Sequence, residues 1–354
     1  MPETSPALAK RYAALDGMRG LAALAVALYH WGLATTPIVP AGYLAVDFFF
    51  VLSGFVIALT YSERLAGTLS AREFMIMRVI RFYPIYLVGH VLGFLRSMAM
   101  LVAGNPNVRG GTELALATVF GTFMLPVPLD ARNLFPLNVP SWTLFLELLI
   151  NVAFALGMFQ LSNRALAGIM AVSAVVLIGF TGPPHFMDVG YSAATLPLGI
   201  ARVCYSFPFG IILFRMLGTQ PRRSSWLSFI PLGVLVTVLA WTPGEAQRGA
   251  WELACVFGLF PALVAAGIRL ELPAALARPF EFLGAISFAV YAIHGPLIIF
   301  VNKLTEKLSL DGWAAVAVYL FILMAAAQAV ASLFDAPVRA MIGKWRRQRR
   351  VVAG

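Results

Sequence analysis

The sequence predicts an all-α integral membrane protein of about ten transmembrane helices, with both termini in the cytoplasm. Three observations carry this expectation. Apolar residues make up 60% of the 354-residue chain and charged residues only 12%, against roughly a quarter charged in soluble domains. The apolar residues fall in successive runs, each near the ~20 residues that cross a bilayer. The basic residues are distributed unevenly between alternate connections, as the positive-inside rule requires.

Taken in order, the expected spans are 15–36, 44–62, 82–103, 140–159, 165–181, 191–217, 226–241, 250–268, 282–301 and 313–334. Lys10 and Arg11 precede the first, and Gly42 and Tyr43 open the second. A polar connection over 63–74 carries Arg64 and Arg72 and leads to Arg78 and Arg81. The segment 113–126 is apolar but holds only ~14 residues, too few for comfortable spanning, so it is expected to be re-entrant or interfacial. Leaving it out of the count places nineteen of the 26 Lys and Arg in or beside inside segments, with five outside (Arg109, Arg132, Arg248, Lys303, Lys307). Arg96 and Arg202 fall within spans. That asymmetry absorbs the net charge of +10. It points to anionic membrane lipids rather than nucleic acid as the partner of the basic tail KWRRQRR. One transmembrane domain over 1–340 and a basic cytoplasmic tail over 341–354 are expected, with no cleavable leader. Cys204 and Cys255 both sit in apolar runs and are expected as packing residues. No spacing of His, Cys or acidic residues suits a metal site.

Against this background the polar residues stand out. Arg19 and His30 in LDGMRGLAALAVALYH are eleven residues apart, so they share one helix face at ~16 Å separation. With the first helix running inside to outside, His30 comes to lie in the outer half of the membrane. Glu147, His294 and Asp47 are expected in the same layer, each from a different helix. Arg78 and Arg81 lie at the opposite, inner mouth, and their i, i+3 spacing puts both on one face, suited to a phosphate or diphosphate.

Each of these residues also has an ordinary structural reading. Arg19 suits a headgroup anchor, Arg78 and Arg81 suit positive-inside residues, and Asp47 suits an N-terminal helix charge. Ser53 and Gly54 suit close helix packing. His90 and His294 suit hydrogen-bonded interior histidines, and His185 a solvated loop. Arg96 and Arg202 each need a partner, with Glu147 or Asp47 as options, or a wet cavity. A carboxylate within a span, as at Glu147, is costly and is paired or functional.

Five stretches in order resemble the membrane-bound acyltransferase-3 family over nearly the whole chain. LDGMRGLAALAVALYH is similar to the family's Arg or Lys, ten residues, then His. AGYLAVDFFFVLSGFVIAL resembles its second stretch, with Asp47, Ser53 and Gly54. FMIMRVIRFYPIY resembles Arg-x-x-Arg followed by an aromatic and Pro. PSWTLFLELLINVAF resembles Ser-Trp-x-x-x-x-Glu, with Ser141, Trp142 and Glu147. FLGAISFAVYAIHGPLI is similar to the late stretch that holds Ser287, Tyr291, His294 and Pro296. Where many members have Glu-x-Pro, this chain has Asp335-Ala336-Pro337. Some members carry an esterase-like soluble domain after the membrane part; none is expected here.

The resemblance implies an O-acyltransferase of the bacterial cytoplasmic (inner) membrane. It would move an acyl group, acetyl by preference, from cytoplasmic acyl-CoA to a hydroxyl of an envelope carbohydrate or lipid-linked sugar. Acyl-CoA is then the co-substrate and no metal is needed. Arg19, Arg78 and Arg81 would bind the donor. His30 would act as general base, with Glu147 or Asp47 orienting it. Tyr291, His294 and Trp142 would contact the acceptor or the thioester carbonyl. The competing class is a transporter of a small anion or acylated lipid, but the chain shows neither an inverted repeat nor a matched pair of broken helices.

Overall fold

The computed structural model describes residues 12–35, 37–105, 110–128, 132–183, 185–218 and 220–343. Lys10, Arg11, Arg109 and the basic tail from residue 344 onward lie outside the described residues. The helices are α1 (Ala13–Ala34), α2 (Ala45–Gly67), α3 (Ala71–Val102), α4 (Gly111–Thr122), α5 (Ser141–Ala155) and α6 (Asn163–Phe180). They continue with α7 (Leu196–Leu217), α8 (Phe229–Leu239), α9 (Glu245–Ala254), α10 (Phe260–Arg269), α11 (Ala274–Lys307) and α12 (Gly312–Ala329). A π-helical turn over Cys255–Leu259 joins α9 to α10, and another over Val330–Asp335 extends α12. The only extended pairing among the described residues is a two-residue parallel contact of Arg223–Ser224 with Leu270–Glu271.

Seven of the helical segments are long and apolar enough to cross a membrane by length and composition. The 22-residue α1 would reach ~33 Å, while α5 and α8 are shorter, at 15 and 11 residues. The doubtful segment forms α4, a helix of 12 residues. Outward-facing Val172, Val175, Ile178 and Phe180 on α6 are between 59% and 71% exposed. Such a continuous apolar face is stable against lipid and not against water. The protein is an all-α integral membrane protein.

Lipid supplies no hydrophobic force between helices, so close packing must come from small residues at crossings. At the α2–α7 crossing a Cβ on Gly54 would come within 2.0 Å of the Phe207 carbonyl oxygen, and one on Gly210 within 2.1 Å of that of Val51. The same device seats α1 on α11, where Gly20 faces Leu283 and Gly284 faces Asp16.

One buried ion pair locks this arrangement. Arg202 on α7 holds Asp47 on α2, Nη2 to Oδ2 at 2.6 Å, with both side chains essentially inaccessible. Its remaining donors reach the carbonyls of Tyr43, Met187 and Val189. The guanidinium thus ties the 185–191 connection to two helices and leaves no buried donor idle.

The start of α3 differs from the expected span. The helix begins at Ala71, with Ser70 and Glu73 forming a reciprocal capping box. Arg78 therefore sits two turns inside a helix rather than just ahead of the span expected over 82–103, ~10 Å along the axis from Ala71.

Candidate active site

Two cavities meet inside the bundle. The inner one encloses about 220 Å³, and Arg19, Arg78, Arg81, Ser53, Glu147 and Ser287 supply its polar wall. The outer one encloses about 190 Å³ and is lined by Tyr29, His30, Trp142, Asp188, Tyr191 and Arg202, among others. Val46 and Tyr291 line both.

The inner cavity is built around Glu147. Its carboxylate lies 3.5 Å from Arg78 Nη2 and accepts a hydrogen bond from Ser53 Oγ. Asn151 Nδ2, one turn along α5, donates to the Glu147 carbonyl at 2.6 Å and to its carboxylate at 3.3 Å. Arg78 also lies over the Phe82 ring, 4.7 Å from its centroid, a cation–π contact that favours a desolvated guanidinium. Arg19 donates to Ser287 Oγ at 3.0 Å and to the Gly284 carbonyl at 2.8 Å, and pairs with Asp16 at 2.9 Å. Arg81 faces the same space, and no hydrogen bond or ion pair from the described residues reaches its guanidinium. Three guanidinia line one largely apolar cavity, a combination that can take an anionic head on an apolar stem.

The outer cavity is built around His30. Its Nδ1 lies 2.9 Å from the Val26 carbonyl, one helical turn back, and 3.3 Å from His294 Nε2. His294 Nδ1 lies 2.7 Å from the Tyr291 carbonyl. Carbonyl oxygens only accept, so each ring carries its proton on Nδ1. His294 Nε2 is then an acceptor that shares the His30 Nδ1–H with the nearer Val26 carbonyl. That leaves His30 Nε2 with a lone pair and no hydrogen-bond partner among the described residues. Imidazole held this way, on a residue that lines the cavity, can act as a general base. Tyr29, next in sequence, donates to Asp188 Oδ2 at 2.6 Å.

The structure brings some of the expected site residues together and separates others. Arg19, Arg78 and Arg81 share one cavity. His30, His294 and Tyr291 form one contacting group, and Trp142 lies across the outer cavity beneath Arg202, 5.6 Å from its guanidinium carbon. The expectation that Glu147 or Asp47 orients His30 does not match the geometry. Glu147 is engaged by Arg78, Ser53 and Asn151 in the inner cavity, and Asp47 is engaged by Arg202. The orienting groups at His30 are a backbone carbonyl and a second histidine. Arg96 donates to the Pro136 carbonyl at 3.2 Å, and His90 Nε2 lies 3.1 Å from the Thr118 carbonyl on α4, a structural role.

The carboxylate that does share the cavity of His30 is Asp188. It lies in a connection between α6 and α7 and belongs to no apolar periodicity, so hydropathy gives it no prominence. A signal was present in its neighbour: Tyr29 is a phenol placed beside His30 within a span, and buried phenols need a partner.

The acyltransferase domain model matches residues 12–332. Protein 2 in picA locus of Rhizobium radiobacter is 35% identical over 179 residues, covering 48% of this chain and 94% of that protein. Peptidoglycan O-acetyltransferase OatA of Listeria monocytogenes is 24% identical over 360 residues, covering 89% of this chain. The chain spans only about half (54%) of that enzyme's length. Exopolysaccharide production protein ExoZ of Rhizobium meliloti is 26% identical over 283 residues, covering 78% of this chain and 83% of that protein. No solved structure gives a significant match. The domain match takes in every helix from α1 to α12 and every residue of both cavities, and the chain belongs to the acyltransferase-3 family.

Proposed function

We propose that this protein transfers an acyl group, acetyl by preference, from cytoplasmic acyl-CoA to a hydroxyl of an extracytoplasmic carbohydrate. In this reading the chain makes ten spans in a bacterial cytoplasmic membrane, with both termini inside. The arginine-lined cavity then faces the cytoplasm and the His30 cavity faces outward. The relatives' names support a carbohydrate acceptor, since one O-acetylates peptidoglycan and another serves exopolysaccharide production.

The observation that carries the reading is the junction at Tyr291. Its ring belongs to both cavities, it abuts His294 in edge-on contact, and its hydroxyl lies 2.7 Å from Thr143 Oγ1. Donor phosphates held by Arg19, Arg78 and Arg81 would place the pantetheine arm along the apolar inner cavity and the thioester at this junction. The acceptor hydroxyl, held near Asp188 and Trp142, would meet it from the other side. His30 Nε2 takes the hydroxyl proton as the oxygen attacks the thioester carbon. The Tyr291 hydroxyl turns its proton from Thr143 Oγ1 to donate to the developing oxyanion. Collapse breaks the carbon–sulfur bond, the acyl group stays on the acceptor oxygen, and the proton on His30 passes to the departing thiolate. Glu147 takes the role of holding Arg78 in place, and Asp47 that of a structural partner.

The test is mass spectrometry of envelope glycans from strains with and without the gene. A mass shift of one acyl group that depends on the gene supports the reading. Identical glycan masses in the two strains, with no acyl-CoA consumed by the purified protein, would refute it and favour transport of a small anion.

A further inference from the structure

The inner mouth holds more positive charge than the three expected arginines supply. Arg81 has Arg339, Arg19, Asp335 and Arg78 as its charged neighbours. Three of these four carry the same sign as Arg81 itself. Arg339 lies one helical turn beyond the π-helical turn Val330–Asp335, which packs against α3, the helix that carries Arg78 and Arg81. A π turn inserts an extra residue and so re-aims the side chains that follow it.

The local polar groups are incompletely satisfied. Asp335 is buried and its Oδ2 accepts from Arg339, but its Oδ1 has no hydrogen-bond partner. Nε of Arg339 and Nε of Arg78 are buried and likewise without one. Buried donors without acceptors are destabilising, and guanidinia gathered around one point repel one another. One kind of ligand offsets the repulsion and offers the Arg339 guanidinium an acceptor: an oxyanion with several acceptor atoms, seated between Arg81 and Arg339. The cavity that runs from Arg81 to Tyr291 gives that oxyanion an apolar stem.

We propose that Arg339 completes the donor site by gripping, together with Arg81, the diphosphate of acyl-CoA, and that Asp335 is its positioning residue. This rests on the acyl-CoA reading above. Arg78, deeper and already paired with Glu147, then lies on the pantetheine side of the diphosphate, while Arg339, farther out, meets the more distal phosphate.

The experiment uses the full chain purified in detergent, titrated with CoA, dephospho-CoA and pantetheine. In the unsubstituted protein, CoA and dephospho-CoA should both bind much more tightly than pantetheine. Arg339→Gln should weaken both about tenfold, so that their advantage over pantetheine shrinks by the same factor. Arg339→Lys should recover part of it, and Asp335→Asn should give a smaller loss in the same direction. If Arg339→Gln weakens CoA and pantetheine in parallel, Arg339 only shapes the helix end and the proposal falls. It also falls if CoA affinity stays within twofold, or if dephospho-CoA alone is unaffected, since the diphosphate is then not the group being held. If the unsubstituted protein binds CoA no better than pantetheine, the acyl-CoA reading itself is overturned, and this proposal with it.

Discussion

His30 Nδ1 and His294 Nε2 lie 3.3 Å apart, and the outer histidine pair is oriented by backbone carbonyls rather than by a carboxylate. His294 is completely buried and contributes no surface to either cavity. Its part is to accept from His30 Nδ1–H and keep the lone pair on Nε2. His294→Ala should therefore lower kcat by roughly tenfold or more, within the range for losing one acid–base element. Donor affinity should hold, because His294 lines neither cavity and the three arginines lie in the other one. Steady-state kinetics alongside CoA titration checks this: a changed CoA affinity with unchanged kcat would place His294 in the wrong cavity.

Arg78 and Glu147 should behave as one unit. Glu147→Gln removes the countercharge that fixes the guanidinium, and Arg78→Ala removes the guanidinium itself. Each should raise KM for the donor, and the double variant should cost little more than the worse single one, because interacting neighbours are non-additive. The double-mutant cycle on donor KM is the measurement. Full additivity would mean that the two act separately.

The helices were largely legible from hydropathy, because lipid demands uninterrupted apolar runs whose backbones bond internally. What those runs hide is which side chains face one another. Counting residues from assumed span ends put Glu147 level with His30 and put Arg78 at the membrane edge. The capping box at Ser70 and Glu73 fixes an earlier start for α3. It is a readable Ser-x-x-Glu signature, and it lifts Arg78 to meet Glu147 on the short helix α5. The pairing of Arg202 with Asp47 was open among several options. Only the glycine-mediated approach of α2 and α7 decides it, and that contact is tertiary. Asp188 was legible only indirectly, through the partner that the Tyr29 phenol needs, since a loop carboxylate has no pattern of its own.

The Asp47–Arg202 pair should be a stability element. Asp47→Ala leaves a buried guanidinium without its anion, which costs about 3–5 kcal/mol in comparable buried pairs. Thermal unfolding in detergent should show a large drop in Tm for either single substitution. Replacing both with apolar residues of similar volume should recover much of it. A normal Tm with lost activity in Asp47→Ala would instead return Asp47 to the catalytic group.

Tyr29 and Asp188 should read the acceptor. Asp188→Asn and Tyr29→Phe each disturb a 2.6 Å hydrogen bond at the wall of the His30 cavity. The expected outcome is a several-fold rise in KM for the acceptor with unchanged donor affinity. Once glycan analysis has supplied the acceptor, kinetics at saturating acyl-CoA decides the point, and an altered CoA affinity would argue against it.

The assignment of His30 as the base for acyl transfer between the two cavities decides the mechanism. It is tested most directly by following labelled acetyl from acetyl-CoA into the carbohydrate fraction of membrane vesicles carrying the unsubstituted protein or His30→Ala at equal abundance. Label is expected in the first, and a loss of at least about 100-fold in the second, in keeping with general-base catalysis, with CoA still bound. Transfer at the unsubstituted rate in His30→Ala vesicles would contradict the assignment.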